Sequence, residues 1–256
     1  MKGHTKGKRA SVQKELLVKK SAFKKYQELF VGKSSFLSFL KYEIIIFLFS
    51  WIPGAGGVFL RKIFYPLLFK KVGKGVAFGH HITIRHPHKT SISDQSFIDD
   101  YSVLDAKGDD NEGIRIGKNV YIGRNTILSC KGGNIFLGDY SNISANCTLL
   151  SETQVEIGQY TFLAGHCYLV AGGNHRFDRT DIPMMMQPSI DKGGIRILDD
   201  CWLGASVVVL DGVSIGKGCV IGAGAVVNKS IHDYFIAVGV PAKRIGQRNQ
   251  FNQDHS

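Results

Sequence analysis

From residue 92 onward, aliphatic residues recur six positions apart in successive groups of three. These guide positions form six groups of three, all Ile, Leu or Val: Ile92/Ile98/Leu104, Ile116/Ile122/Leu128, Leu137/Ile143/Leu149, Ile157/Leu163/Leu169, Ile197/Leu203/Val209 and Ile215/Ile221/Val227. A second small side chain follows most guides four residues later: Ser96, Ser102, Val120, Thr126, Ser141, Cys147, Thr161, Cys167, Cys201, Val207, Val213, Cys219 and Ala225. A period of six with two inward positions suits a short strand and a turn, and it does not fit an α-helix.

Three such strands make one triangular coil of about 18 residues, and stacked coils bury a continuous apolar column. The repeat therefore predicts an all-β parallel β-helix of about seven to eight coils. Glycine directly follows several guides, as in Ile116-Gly117 and Ile215-Gly216. We expect glycine or asparagine at the turns to tolerate the left-handed backbone that a corner requires.

The spacing between groups of guides predicts where loops leave the prism. Within each group the step is always six, whereas between groups it is 12, 9, 8, 28 and 6. Every insertion should therefore leave from one corner, after the third face. The largest runs roughly from Ala171 to Gly194, and a loop this long in a compact repeat is usually functional.

Before the repeat, residues 36–70 are strongly apolar. Their uninterrupted apolar run starts at Ile44 and breaks at Pro53 after roughly nine residues, where a spanning helix needs about 20. We predict two amphipathic helices around the Pro53–Gly57 bend, lying in a membrane interface with basic side chains toward the headgroups. Those side chains are Lys41, Arg61, Lys62, Lys70 and Lys71. The alternative is that the helices pack against their own domain or a sister subunit.

The charge of the chain favours the membrane interpretation. The net charge is +11, and residues 1–35 contribute +8 of it, from ten Lys/Arg against two Glu. A basic arm beside an apolar segment fits an anionic membrane surface. No aromatic-interleaved groove points to nucleic acid, and residues 1–35 lack the continuous apolar core of a cleavable signal peptide.

Five cysteines without a CxxC motif argue against a disulfide framework or a zinc knuckle. We therefore predict a cytoplasmic protein, peripherally associated with the inner face of the cytoplasmic membrane through residues 36–71. The predicted organisation is a basic arm over 1–35, partly helical or disordered, membrane-associated helices over 36–72, a β-helix domain over 73–245 and a tail over 246–256.

Four further motifs carry a family resemblance. They are Gly172-Gly173-Asn174-His175-Arg176-Phe177-Asp178 followed by Gln187, Asp200-Cys201-Trp202-Leu203-Gly204-Ala205, Ile221-Gly222-Ala223-Gly224-Ala225-Val226-Val227, and Val238-Gly239-Val240-Pro241-Ala242-Lys243. Over roughly residues 75–245 the chain resembles the hexapeptide-repeat acyltransferases of the sugar or polysaccharide O-acetyltransferase type. Residues 36–74 are similar to the N-terminal segment of members that modify exopolysaccharide or lipopolysaccharide. The resemblance implies a left-handed parallel β-helix, acetyl-CoA as acyl donor and a homotrimer with active sites between subunits.

Acyl transfer to a hydroxyl needs a base, and His175 in the long loop is the candidate. Asn174 or Asp178 could orient its ring, and the spacing does not choose between them. His166, on an outward turn position, is a competing candidate that could line the same active site between subunits. A further histidine cluster comprises His80, His81, His86 and His88. It precedes the first regular coil, unlike the zinc-binding histidines of related β-helix carbonic anhydrases, so we expect no metal.

The resemblance also implies residues for the donor. Small residues beside exposed backbone allow the pantetheine to approach closely, and each also has a structural role as a turn residue: Gly204, Ala205, Gly222 and Ala223. Asn228 and Lys229 are candidates for the nucleotide end. Lys243 matches a basic position that meets coenzyme A phosphate.

The predicted function is transfer of an acetyl group from acetyl-CoA to a hydroxyl of a sugar in bacterial surface polysaccharide or its precursor. One alternative is N-acetylation of an aminosugar nucleotide, which the membrane-like N-terminus disfavours because such an acceptor needs no anchor. Another is a non-catalytic or carbonic-anhydrase-like β-helix. His175 in a long loop, together with the motif ending in Lys243, argues against it.

Overall fold

In a computed structural model, which describes residues 20–248, the chain folds into a left-handed parallel β-helix with a helical cap at its N-terminal end. The cap consists of helix α1 (Ala22–Tyr26), which continues as a π-helical turn over Gln27–Val31, helix α2 (Phe36–Phe49) and helix α3 (Gly54–Phe64). A 3-10 turn over Tyr65–Leu67 leads into the first strand. The predictions for residues 1–19 and 249–256 lie outside the described residues.

The strands of the prism form three faces. The first face contains β1 (Lys71–Val72), β4 (Thr90–Ile92), β7 (Ile114–Ile116), β10 (Asn134–Leu137), β13 (Gln154–Ile157), β18 (Ile195–Ile197) and β21 (Ser214–Ile215). The second face contains β2 (Ala77–Phe78), β5 (Phe97–Ile98), β8 (Tyr121–Ile122), β11 (Asn142–Ile143), β14 (Phe162–Leu163), β19 (Trp202–Leu203), β22 (Val220–Ile221), β24 (Phe235–Val238) and β25 (Lys243–Gln247). The third face contains β3 (Thr83–Arg85), β6 (Val103–Asp105), β9 (Ile127–Ser129), β12 (Thr148–Ser151), β15 (Tyr168–Ala171), β20 (Val208–Leu210) and β23 (Val226–Val227).

The predicted inward column is confirmed. Every one of the eighteen guides is at most 3% exposed, and so is every one of the small residues that follow them. Neighbouring strands pair in parallel with guide against guide, as for Ile143 and Leu163. Cysteines fill part of the column, and their thiols donate to backbone carbonyls, for example Cys201 Sγ to Gly216 O at 3.0 Å. The interior is therefore largely apolar. Inward hydroxyls such as those of Ser96 and Thr126 donate to backbone carbonyls, whereas the buried Ser141 Oγ has no hydrogen-bond partner among the described residues.

The predicted left-handed asparagines and glycines at the turns are confirmed, for example Asn119 at φ 54° and Gly218 at φ 68°. They lie two positions beyond the glycines that directly follow the guides. Gly117 is instead restricted by space, because a Cβ there would lie 2.7 Å from the backbone nitrogen of Asp139 in the next coil. The Asp139 carboxylate accepts the Lys118 N–H at 2.8 Å. Glycine therefore allows one coil to approach the next closely.

We predict that Gly117→Ala lowers the free energy of unfolding by about 1–3 kcal/mol, because the added methyl pushes two coils apart. Gly56 is the matched control: it lies in α3, and a Cβ there would meet nothing within 4 Å. Gly56→Ala should be neutral or stabilising by up to about 1 kcal/mol, because alanine is the better helix former. Urea denaturation measures both, and equal stability of the two variants would contradict the spatial role of Gly117.

The cap seals the open N-terminal end of the prism. The rings of Tyr65 and Phe69 pack on Phe78, the inward residue of β2, at centroid distances of 5.4 and 5.6 Å. The Tyr42 hydroxyl donates to Ile84 O at 2.7 Å, so the cap also supplies a donor for an edge carbonyl of β3. Among the residues described, no helix is long and apolar enough to cross a membrane.

Three expectations for the cap are corrected. The bend is shorter than predicted, because Gly54–Gly57 form the first turn of α3. Helix α2 is apolar on its exposed side as well as its buried side, so it is not amphipathic. Arg61 does not face lipid headgroups. It is 1% exposed and donates to three backbone carbonyls, those of Phe78, Phe49 and Ile52, at 2.7–3.0 Å.

The C-terminal end of the prism is closed by a chain reversal. Strand β25 runs antiparallel to β24, the last parallel strand of the second face. On the third face, Ala242 N donates to Val226 O at 2.8 Å, and Val226 N donates to Gly239 O at 3.1 Å. The exposed edges of the last coil are thus paired with the chain's own backbone.

Candidate active site

The long loop leaves the prism after β15, at the corner between the third and first faces, as predicted from the spacing. It forms a small antiparallel ribbon of β16 (Asn174–His175) and β17 (Ser189–Ile190), with a 3-10 turn over Met184–Met186 between them. His175 is exposed on this ribbon. The loop is therefore an ordered projection that holds its histidine away from the prism wall.

The main chain of the loop orients the His175 ring. Its Nδ1 lies 3.4 Å from the carbonyl oxygen of Gln187, and a carbonyl can only accept, so Nδ1 is the donor of this long hydrogen bond. Gln187 is itself 4% exposed, and its Nε2 donates to Arg179 O at 2.7 Å. Because Nδ1 carries the proton, Nε2 is left as the basic nitrogen.

The two residues left open as orienters of His175 have other partners. The Asn174 Nδ2 donates to Asp211 Oδ2 at 2.7 Å. Asp178 accepts two hydrogen bonds from the Arg176 guanidinium, at 2.9 and 3.0 Å, and this contact lowers the pKa of its carboxyl. The structure therefore gives the orienting role to the Gln187 carbonyl, which spacing alone did not suggest.

Asp211 fastens the loop to the prism, and it is absent from the residues selected by sequence. It is 8% exposed, and besides Asn174 it accepts the backbone N–H groups of Gly194 at 2.9 Å and Lys192 at 3.3 Å. One carboxylate thus joins the beginning of the loop to its end. The sequence pattern does distinguish Asp211, because the equivalent inward positions of the four preceding coils carry small side chains: Ala106, Cys130, Ser151 and Ala171.

The small candidate residues for the donor stack on the corner between the second and third faces. Ala205 and Ala223 are exposed there on adjacent coils. A Cβ on Gly204 would lie 2.6 Å from Ala223 N, and one on Gly222 would lie 2.6 Å from the Val238 side chain. The two glycines are thus required for coil stacking whether or not a ligand approaches them.

The remaining candidates lie elsewhere. Asn228 and Lys229 are exposed after β23, at the corner from which the loop also leaves, two coils beyond it. Lys243 is exposed in β25. His166 lies on the corner between the second and third faces, and its Nε2 is 3.5 Å from Asn146 Nδ2. Ser206 N in the next coil donates to Gly165 O, so His166 lies one coil before the small residues Gly204 and Ala205.

The third face separates His175 from the small-residue corner within one chain. The loop begins where the third-face strand β15 ends, whereas Gly204 and Ala205 precede the third-face strand β20. The two sets therefore lie at opposite edges of the same face. One chain alone does not bring all the predicted site residues together.

The histidine cluster separates into two pairs. The Nδ1 atoms of His80 and His81 lie 2.7 Å apart at the second–third corner of the first coil. His86 follows β3 and its Nε2 donates to Glu28 O at 2.8 Å, where α1 and its π-helical extension pack on the prism. Burial lowers the pKa of His86 and lowers that of His88 to about 4, so both rings are neutral at physiological pH.

Known proteins that are similar to this chain share the hexapeptide repeat. The bacterial transferase hexapeptide (six repeats) model matches residues 194–229. A probable acetyltransferase of Mycobacterium tuberculosis is 37% identical over 53% of this chain, but the match spans only 44% of that relative's length. A galactoside O-acetyltransferase of Lactococcus lactis is 32% identical over 55% of this chain and 67% of its own length.

A protein of Escherichia coli named for O-acetyl transfer in lipopolysaccharide biosynthesis is 33% identical to the chain. That match covers 54% of this chain and 74% of the relative. The repeat, the inward column and these similarities agree on the family. The chain belongs to the hexapeptide-repeat acyltransferases, in the branch that includes sugar and polysaccharide O-acetyltransferases.

Proposed function

We propose that this protein transfers an acetyl group from acetyl-CoA to a hydroxyl of a sugar in bacterial surface polysaccharide or its precursor. The observation that carries the proposal is His175, exposed on an ordered loop and oriented through Nδ1 by the Gln187 carbonyl. Two of the relatives are named for O-acetylation, one of galactosides and one in lipopolysaccharide biosynthesis, and both support a sugar acceptor.

In the proposed reaction His175 acts twice. Its Nε2 takes the proton of the acceptor hydroxyl as that oxygen attacks the thioester carbonyl carbon. The tetrahedral intermediate then breaks its C–S bond, and the departing thiolate takes the same proton back from the imidazolium. The products are a sugar acetate ester and free coenzyme A. No covalent enzyme intermediate is needed, since both substrates meet in one complex.

The donor is proposed to lie along the small-residue corner. Ala205 and Ala223 are exposed and lack bulk, so backbone groups beside them are open to the pantetheine. Asn228 and Lys229 are proposed for the nucleotide end. Lys243, exposed in β25, is proposed to meet phosphate in a charge-assisted contact.

We propose a homotrimer with active sites between subunits. The outward side chains of the second and third faces include exposed apolar ones: Trp202 at 53%, Tyr168 at 39% and Phe162 at 38%. The first face carries charged outward residues such as Arg115 and Arg196. Apolar surface of this extent supports a subunit contact. Within one chain, the third face separates His175 from the small-residue corner. In a trimer, the His175 loop of one subunit would lie beside the small-residue corner of its neighbour.

We further propose that the protein lies on the cytoplasmic side, peripherally attached to the inner face of the cytoplasmic membrane through residues 36–71. The exposed apolar side chains of α2 and α3 support the attachment. The basic residues 1–35 add an electrostatic attraction to anionic lipids.

The purified protein should release free coenzyme A from acetyl-CoA only when a sugar acceptor is present. In cells, deletion of the gene should remove acetyl groups from surface glycans, as measured by mass spectrometry. An ester is cleaved by mild alkali whereas an amide survives. Alkali-labile acetyl groups would support O-transfer, and alkali-stable ones would replace it with N-transfer to an aminosugar.

A further inference from the structure

The outer surface of the cap is an apolar patch that the prism leaves uncovered. Ten large hydrophobic residues between positions 36 and 67 are at least 41% exposed: Phe36, Leu37, Leu40, Ile44, Phe47, Leu48, Trp51, Phe59, Ile63 and Leu67. On α2 they recur at intervals of three and four residues, which forms one continuous stripe. We call this set the cap patch. A monomeric soluble protein rarely exposes so much contiguous apolar surface, which marks it as a contact site.

The cap patch cannot turn inward, because the opposite side of each helix is fastened to the prism. Arg61 ties α3 to the carbonyls of Phe78, Phe49 and Ile52. The Tyr42 hydroxyl ties α2 to Ile84 O, and His81 N donates to Ser50 O at 2.7 Å. The outward direction of the patch is therefore fixed by the fold.

The two helices present the patch as one surface. The rings of Phe49 and Phe64 stack at 4.2 Å, so α3 folds back against α2. Across the exposed side, Lys41 Nζ donates to Leu67 O at 2.8 Å. This contact joins α2 to the 3-10 turn that follows α3, which carries the exposed Leu67.

Charge around the patch favours a lipid bilayer over a second copy of the chain. Residues 36–71 contain Glu43 as their one acidic residue, and its carboxylate accepts the Tyr26 hydroxyl at 2.7 Å. Lys62, Lys70 and Lys71 are exposed. A two-fold contact through the patch would bring two sets of these lysines to one interface with few acidic partners, whereas an anionic bilayer supplies both acyl chains and opposite charge.

We infer that the cap patch docks the end of the prism on an anionic bilayer, so that the acceptor is a glycan carried on a lipid in that bilayer. The acceptor part rests on the proposed function. The loop of His175 follows the fifth strand of the third face, about 19 Å from the first at about 4.8 Å per strand. With a helical layer of about 10 Å, His175 stands some 30 Å from the bilayer, which suits a glycan several sugars long.

Flotation with vesicles tests the docking directly. The full-length protein should float with phosphatidylethanolamine–phosphatidylglycerol vesicles. The triple variant Leu37→Ser, Phe47→Ser, Phe59→Ser should bind with a partition coefficient at least about tenfold lower, because it loses three apolar contacts. The matched control is Ile245→Ser at the opposite end of the prism, where Ile245 is 61% exposed; it should float like the wild type. A wild type that stays unbound, or a triple variant that floats equally, overturns the inference.

Trp51 provides a readout that needs no change in the patch. It is 59% exposed, and the chain has two tryptophans, so Trp202→Phe leaves it as the sole one. Its emission should shift to shorter wavelength and become protected from acrylamide when vesicles are added. An unchanged spectrum overturns docking through this patch. A spectrum that shifts with protein concentration and without lipid assigns the patch to a second copy and likewise overturns it.

The acceptor is tested with membrane vesicles from cells that lack the gene and with glycan released from them by mild acid. The wild type should pass radiolabelled acetyl groups to both. The triple variant should label the released glycan normally and the intact vesicles at least about tenfold more slowly, since only the latter needs docking. Equal rates on both substrates overturn the lipid-borne acceptor. His175→Ala should float without labelling either, and a wild type that floats but labels neither contradicts the proposed function alone.

Discussion

Replacing His175 by alanine should reduce acetyl transfer by at least about a hundredfold, the usual scale for a general base. The side chain is exposed on the ribbon of β16 and β17, and its Nδ1 forms a long hydrogen bond of 3.4 Å with the Gln187 carbonyl. Its removal should therefore leave the fold, the oligomeric state and acetyl-CoA binding intact. Initial rates of coenzyme A release measure the loss, and titration calorimetry with coenzyme A measures the retained binding.

His166→Ala is the discriminating comparison for His175. Both histidines are exposed, but His166 lies on the small-residue corner at the other edge of the third face. If His175 is the base, His166→Ala should change the rate at most a few-fold. A large loss in His166→Ala together with near-normal activity in His175→Ala would transfer the catalytic role to His166.

Asp211→Asn should lower kcat by about ten- to a hundredfold, because small displacements of a catalytic group cost that much in rate. The carboxylate accepts hydrogen bonds from Asn174, Lys192 and Gly194 through its two oxygens. An asparagine side chain has only one oxygen and cannot accept all three. KM for acetyl-CoA should stay close to the wild-type value, since the residues proposed for the donor lie outside the loop. Steady-state kinetics with each substrate varied separately measures this division.

Two further measurements identify Asp211 as a positioning residue. Trypsin should cleave at Arg176 and Arg179 faster in Asp211→Asn, because the loop is no longer fastened at both ends. Asn174→Asp combined with Asp211→Asn restores a carboxylate–amide pair and should recover part of kcat. Asp200→Asn, a change at an exposed corner aspartate that pairs with Arg248, is the matched control. Equal trypsin sensitivity in Asp211→Asn and the wild type would refute the fastening role.

Much of the fold could be predicted from the sequence because each coil repeats the same local solution. A guide such as Ile143 is buried by its own coil and the two beside it, so a period of six is sufficient to locate it. The exit corner of the loops followed from counting residues between guides. The spatial constraint on Gly117 could not be predicted, because it comes from Asp139 in the next coil and a six-residue period does not reveal that distance.

The packing of the cap and the attachment of the loop through Asp211 depend on contacts that sequence spacing does not encode. The sequence favours a solvent-exposed Arg61, because a guanidinium charge ordinarily requires solvent. The buried guanidinium instead donates to three backbone carbonyls, two at the bend between α2 and α3 and one at the edge of the prism. Asn174 and Asp211 are 37 residues apart and meet because two coils stack. The sequence nevertheless carries a signal for Asp211, a carboxylate at a position that holds a small buried residue in the four preceding coils.

The closure of both ends of the prism limits how the protein can assemble. A stack of parallel strands would otherwise offer unpaired edges at each end, onto which another chain could add as a further coil. The antiparallel β25 and the contacts between residues 239–242 and Val226 occupy one end, and Tyr42 and Arg61 occupy carbonyls at the other. A second prism therefore finds these backbone groups already paired and cannot add to them as a further parallel coil. The number of coils in the column is set within each polypeptide.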